Sequence, residues 1–373
     1  MTTVSFRQPS YSRRELLGML GAGAVSAMLP TLASPDATTF PKGAVIRTVL
    51  KDYAPEHLGG AILFHEHMSL APDLGTRFNK YSRATRQANG ETTPTPLAPL
   101  PESTAPFFMR DENLMTNEMR VAKSEGIACI VDAGHPDMGR DFNFLKAISA
   151  KSGLPIVSGG GFYTQPFYPR EISGWSENQV FDALMKQVDT QSIGAWGEIG
   201  SWDWITADER KVFRAIGRAQ AATNMPIFTH TGIPGKSAIE QLDLLEDAGA
   251  KPEHIVIGHL GNLIDPKVEV QKALCRRGCF IGFDRQAGPG DAQQVPMVMT
   301  LLEAGFVKNL MFSSDFSFLA STKHGGGPGY AQTLTVFVPK MKVAGATDEQ
   351  LHTIMVDNPR RFLAYVPKIP RKD

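Results

Sequence analysis

Cysteine is scarce, at three residues in 373. An odd count with no paired CxxC spacing excludes a disulfide framework and a zinc knuckle. Cys129 lies in an apolar run that reads as a buried strand. Cys275 and Cys279 flank Arg276-Arg277-Gly278 at a helix-to-strand turn, where a bridge would need an oxidising compartment. An excess of one charge is also lacking: Lys plus Arg and Asp plus Glu stand at 38 each. With no basic block beyond short pairs, nothing builds a nucleic-acid groove. Hydrophobic residues at 42% and charged residues at 20% describe an ordinary globular chain and exclude disorder or multiple membrane spans. No GxGxxG follows the first strand candidate, which weighs against a doubly wound dinucleotide fold. A protein that binds a small molecule, or a structural protein, fits this composition.

The first residues depart from this average. Ser12-Arg13-Arg14-Glu15-Leu16-Leu17-Gly18 sets paired arginines before a weakly apolar stretch that ends near Ala33 and Ser34. The pattern resembles a twin-arginine export signal, so residues 1–34 read as a signal and residues 35–373 as the mature domain. Periplasmic or secreted localisation follows, with no membrane association after signal removal. An uncleaved anchor or a chance arginine pair fits the same residues.

Beyond it, short apolar runs alternate with longer amphipathic segments, the pattern of βα units around a parallel sheet. The strand candidates are Ala61–Phe64, Ile127–Ala133, Pro155–Ser158, Gly194–Ile199, Pro226–Thr229, His254–Gly258, Cys279–Phe283 and Leu310–Ser313. Helices are predicted over Asn113–Ser124, Gly139–Lys151, Asp208–Ala222, Ser237–Ala248, Pro266–Arg276 and Pro296–Ala304, among others. Eight strands with polar residues at their ends favour an α/β fold, a (β/α)8 TIM barrel. The proline-rich segment Gly75–Pro106 reads as an extended loop after the first strand, and Phe316–Gly329 as a second loop after the last. Both belong to the C-terminal face, where barrel enzymes build their sites. Each also fits a tolerated surface insertion.

Phe64-His65-Glu66-His67 is the sharpest local signal, because alternation along a strand turns His65 and His67 to one side. Imidazole with carboxylate suits Zn²⁺. An HxH alone is weak, but four more ligand types close apolar runs at comparable places: Glu198, His230, His259 and Asp315. Strands one, four, five, six and eight then aim six ionisable groups into one mouth. Burying these together without a cation is costly.

The arrangement resembles the phosphotriesterase family of the amidohydrolase superfamily, from about Val45 to Leu363. The resemblance extends through Gly126-Ile127-Ala128-Cys129-Ile130-Val131-Asp132, Ile257-Gly258-His259-Leu260-Gly261, Phe280-Ile281-Gly282-Phe283-Asp284-Arg285 and Asp357-Asn358-Pro359-Arg360-Arg361-Phe362-Leu363. It implies a binuclear metal site at the C-terminal face. His65, His67 and Asp315 would hold the more buried ion, His230 and His259 the more exposed one, and Glu198 would bridge them. Glu198 stands where the best-known members carry a carboxylated lysine, as in the phosphotriesterase-related subgroup, which shares Gly197-Glu198-Ile199-Gly200 and Pro339-Lys340-Met341. The two divalent ions would be Zn²⁺, with Mn²⁺, Co²⁺ or Fe²⁺ also compatible, and a hydroxide shared by them would attack the substrate while Asp315 takes the proton. Arg285 looks like the pocket-lining arginine of phosphotriesterase-like lactonases, though a surface ion pair also fits. Tyr163, after Gly159-Gly160-Gly161, reads as pocket-lining or as an exposed aromatic. The activity implied first is hydrolysis of a lactone or other carboxylic ester, with amide hydrolysis of a small N-acyl compound, phosphotriester hydrolysis and a metal-free binding barrel as alternatives. Homodimerisation is a further implication. His57, His135, His254, His324 and His352 fall outside the ligand pattern and read as surface or loop residues, and the four tryptophans as packing.

Overall fold

The structure, a computed structural model, describes residues 39–88, 107–232, 235–263, 265 and 267–371. The segment 1–34, with its paired arginines, lies outside them, as does 89–106.

Among the described residues, eight parallel strands pair in sequence order. They are β1 (Ala61–Glu66), β2 (Ile127–Asp132), β3 (Ile156–Gly160), β4 (Ala195–Ser201), β5 (Ile227–Thr231), β6 (Ile255–Ile257), β7 (Phe280–Phe283) and β8 (Leu310–Phe312). The first and last edges meet: Asp315 N–H donates to the His65 carbonyl at 3.1 Å, and His67 N–H to the Phe316 carbonyl at 3.1 Å. This near-closure is the (β/α)8 barrel expected from the sequence. A short antiparallel hairpin, Ile46–Arg47 with Asp52–Tyr53, precedes it.

Alternation divides the strands between two cores. Ile62, Phe64, Val131, Val157, Phe228, Val256 and Met311 fill the barrel. Ala61, Leu63, Ile130, Ile227 and Ile257 pack outward against the helices. Strands buried on both faces read as continuous apolar runs, which is why they were legible. Alternation alone would send His65 outward with Leu63. A register shift between Leu63 and Glu66 interrupts it and turns His65 to the mouth of the barrel.

The helices follow local signals. Ser176 with Gln179 and Thr206 with Glu209 form reciprocal capping boxes at the starts of Glu177–Thr190 and Ala207–Thr223. Asp111 and Asp141 cap Glu112–Ser124 and Phe142–Ser152. Two expectations need correction. Part of the predicted loop Gly75–Pro106 is a helix, α1 (Leu74–Ala88). Its prolines all fall at Pro94 and beyond, so the composition of the whole segment masked a proline-free first half. The helix predicted from Pro296 starts earlier, spanning Asp291–Glu303 with Pro296 inside it. The proline removes only a bond to Ala292, next to the helix start, which the helix tolerates. All three cysteines are buried and free, so Cys275 and Cys279 are not bridged. Among the described residues no helix is long and apolar enough to cross a membrane.

Candidate metal centre

The six residues singled out in the sequence come together at the C-terminal ends of the strands. They form two groups that share Glu198: His65, His67, Glu198 and Asp315 in one, and Glu198, His230 and His259 in the other. In the first, His67 Nε2 lies 3.1 Å from Asp315 Oδ1 and 3.2 Å from Glu198 Oε1, and His65 Nε2 lies 3.2 Å from Glu198 Oε2. In the second, His230 Nδ1 is 2.9 Å from Glu198 Oε2 and 2.9 Å from His259 Nε2. Glu198 stands between the two groups.

Backbone strain accompanies this placement. His259 and Asp315 adopt left-handed conformations at φ 60° and φ 50°. Such angles cost a non-glycine residue free energy and persist where the surroundings impose them, commonly at functional sites. Gly258 before His259 lets the strands approach closely: a Cβ there would stand 2.1 Å from the Thr229 carbonyl oxygen.

A carboxylate that the sequence reading left without a role orients two of the imidazoles. Asp284, at the end of β7, is fully buried and accepts from His65 Nδ1 at 2.9 Å, His259 Nδ1 at 2.9 Å and the His259 backbone N–H at 2.8 Å. With both ring hydrogens on Nδ1, both Nε2 lone pairs face the mouth, an arrangement typical of metal-binding histidines. Burial opposes ionisation of Asp284, but His259 and His65 hold its pKa below the usual carboxylate range.

These residues fit divalent cations. Among the described residues His65 Nε2 is buried with no hydrogen-bond partner, although it faces two carboxylates. Burial lowers the pKa of His230 to about 4, helped by neighbouring His259, so its ring stays neutral with a lone pair to give. Around His67 the demand is for positive charge: burial opposes protonation, yet Asp315 and Glu198 raise its pKa to about 10. A cation answers that demand where a proton otherwise would.

Arg285 and Tyr163 both belong to the site. The Arg285 Nε donates to Asp315 Oδ2 at 3.0 Å, so its ion pair lies in the cavity wall and not on the surface. Tyr163 is 3% exposed and its hydroxyl lies 3.2 Å from His230 Nδ1, which corrects the exposed alternative. Trp202, read as packing alone, sets its ring against His230 at 5.9 Å and against Phe78 of α1 at 5.3 Å. Above the centre opens a cavity of about 630 Å³ walled by Leu70, Leu74, Phe78, Phe107, Phe316 and the polar Arg285 and Gln286, among others.

His135 corrects another expectation. It is fully buried, with Nδ1 on Asp137 Oδ1 at 2.7 Å and Nε2 on the Glu198 backbone carbonyl at 2.8 Å. Asp137 Oδ2 in turn accepts the Tyr163 backbone N–H at 2.8 Å. One dyad thus steadies both the shared carboxylate and the tyrosine. A signal existed, since Asp284 and His135 also follow apolar runs at strand ends. Of the other histidines outside the ligand pattern, His57, His324 and His352 are exposed and His254 is half-buried.

The fold and this site define a hydrolase barrel with a metal-binding centre at its C-terminal mouth. The chain belongs to the phosphotriesterase family, which it matches over residues 46–363. It is 30% identical to the N-acetyltaurine hydrolase of Homo sapiens over 286 residues, covering 69% of this chain and 81% of that protein. Among solved structures it is similar to a resiniferatoxin-binding protein from Rhodobacter sphaeroides, at 27% identity, TM-score 0.74, and coverage of 86% and 95% of the two chains. A lactonase from Listeria monocytogenes shares the fold at 24% identity and TM-score 0.71, covering 86% of this chain and 98% of that one.

Proposed function

We propose that the chain hydrolyses the amide bond of a small N-acyl compound at a binuclear centre held by His65, His67, Glu198, His230, His259 and Asp315. The observation that carries the amide reading is the relationship to N-acetyltaurine hydrolases, at 30% identity for the human protein, together with the shared-carboxylate position filled by Glu198. Lactone or carboxylic ester hydrolysis is the second reading. It is favoured by similarity, at 26% identity, to a solved structure engineered from a weak promiscuous lactonase template.

When bound, divalent ions supply Lewis-acid polarisation of the substrate carbonyl and lower the pKa of water toward neutrality. The chain's own residues do the remainder. Asp315 accepts a proton from the attacking water as oxygen adds to the carbonyl carbon. The same carboxyl delivers it to the leaving nitrogen as the C–N bond breaks, giving a carboxylic acid and an amine. Arg285 holds Asp315 Oδ2 and leaves Oδ1 toward His67, fixing the rotamer in which the carboxylate faces the reaction. Its cation also suits the orientation of an acyl oxygen or an anionic substrate group. Tyr163, its pKa raised by burial and by Glu198 and Asp315, remains a neutral hydroxyl beside His230. Zn²⁺ is the favoured ion, with Mn²⁺, Co²⁺ and Fe²⁺ suited to the same donors. The paired arginines support work outside the cytoplasm.

The test is a hydrolysis panel of an N-acyl amino sulfonate, an N-acyl amino acid, an acyl-homoserine lactone, an aryl ester and paraoxon, with chelator and after metal re-addition. Chelator should abolish turnover and metal restore it, with the amides fastest by kcat/KM. Lactone turnover far above amide turnover selects the second reading, and activity indifferent to chelator removes the metal role.

A further inference from the structure

Gln286 lines the cavity directly after Arg285 and is only 5% exposed, yet among the described residues neither Nε2 nor Oε1 of its carboxamide has a hydrogen-bond partner. Burying an amide without partners costs free energy, and nearly all buried polar groups in folded proteins are satisfied. The residue is not loosely placed. Gln294 Nε2 donates to the Arg285 carbonyl at 2.8 Å, and Ala287 follows in a left-handed conformation at φ 64°, so the peptide that carries Gln286 is pinned on one side and strained on the other. Strain with an unspent donor and acceptor marks a side chain organised for something other than the fold.

Its chemistry narrows what that is. A carboxamide offers one face with an N–H donor beside a C=O acceptor. Oε1 needs a donor from the ligand, and the N–H of a secondary amide supplies one; because that amide is trans its carbonyl points away, and Nε2–H is left for a second acceptor elsewhere on the ligand. An ester or lactone has the acceptor but no donor, and would leave Oε1 buried and unpaired. A site built to bond an N–H rejects the analogue lacking it far more strongly than an apolar pocket rejects a change of size. We propose that Gln286 is the residue by which this centre selects secondary amides over the corresponding esters. The proposal rests on the amide reading above and deepens it, assigning the selectivity to one side chain.

The experiment compares wild type with Gln286→Met, nearly equal in volume, and Gln286→Glu, which keeps the acceptor and loses the donor. The probes are N-acetyltaurine and the ester in which oxygen replaces its amide nitrogen, with kcat and KM measured for each alongside the thermal midpoint of the metal-loaded proteins. In Gln286→Met, kcat/KM for the amide should fall roughly ten- to hundredfold. The ester should change less than about threefold, and the midpoint should hold or rise, because no bond within the protein is lost. Gln286→Glu should lie between Met and wild type on the amide. Equal losses on both substrates, an unchanged amide rate, or a midpoint lowered by several degrees would each overturn the proposal.

Failure of the functional reading looks different. A wild-type enzyme that cleaves the ester but not the amide refutes amide hydrolysis. The selectivity residue is then judged by competition: inhibition of ester turnover by the amide, weakened about tenfold in Gln286→Met, upholds the contact, and its absence removes it.

Discussion

Asp284→Asn isolates what a carboxylate outside the ligand set does for the centre. Asp284 Oδ1 takes two hydrogen bonds, from the His259 ring and the His259 backbone, and Oδ2 takes one from His65. Asparagine has a single acceptor oxygen, which keeps the most bonds if it stays toward His259. The amide NH₂ then faces His65 Nδ1, donor against donor. Relief requires His65 to move its ring hydrogen to Nε2, the atom that faces Glu198 and Asp315, and the lone pair for a metal is lost. Loss of an outer partner of this kind weakens metal binding by roughly 10- to 100-fold, equivalent to about 1.4–2.7 kcal/mol. The loss should be unequal: the ion of the His65, His67 and Asp315 group leaves first, while that of His230 and His259 stays nearer wild-type affinity. Metal content after dialysis against graded chelator reads this directly, and added metal should recover most activity. Two metal equivalents held as tightly as in wild type would refute the tautomer argument. Activity lost at full metal occupancy would show that Asp284 acts on the reaction and not on the ligands.

The remaining predictions use the same geometry. Asp315→Asn should lower kcat roughly 10²- to 10⁴-fold by removing the proton acceptor, read by steady-state kinetics at saturating metal; wild-type turnover with metals bound would end that role. His135→Phe leaves the Glu198 carbonyl buried without its donor, so a loss of about 1–3 kcal/mol in unfolding free energy and a lower kcat are expected, measured by denaturant titration and kinetics. A fall in stability alone, with kcat intact, would reduce the dyad to a structural strut. Phe78→Ala removes a ring that stands 6.1 Å from that of His230, and should raise KM several-fold while the thermal midpoint stays close to wild type. An unchanged KM would separate α1 from substrate binding.

The six clustered residues were legible in the sequence because each closes an apolar run. A strand buried on both faces must end in polar groups where the barrel meets solvent, and such ends stand out against Val, Ile and Phe. His65 with His67, Glu198, His230, His259 and Asp315 were found this way. Asp284 and His135 sit at equivalent ends and were passed over, because a residue that orients a ligand has no spacing of its own. Helix α1 was hidden by averaging over the prolines that follow it.

Sequence alone therefore determined the architecture and which side chains would gather at the barrel mouth, since periodicity and strand-end chemistry are local properties of the chain. Only the tertiary structure decided how those side chains are aimed. The register shift in β1 turns His65 into the mouth, the left-handed backbone at His259 and Asp315 sets their direction, and Asp284 reaches two histidines far from it in the chain. Orientation is fixed by contacts between distant segments, and an unsatisfied amide such as Gln286 is visible only once its neighbours, and the space they leave, are in place.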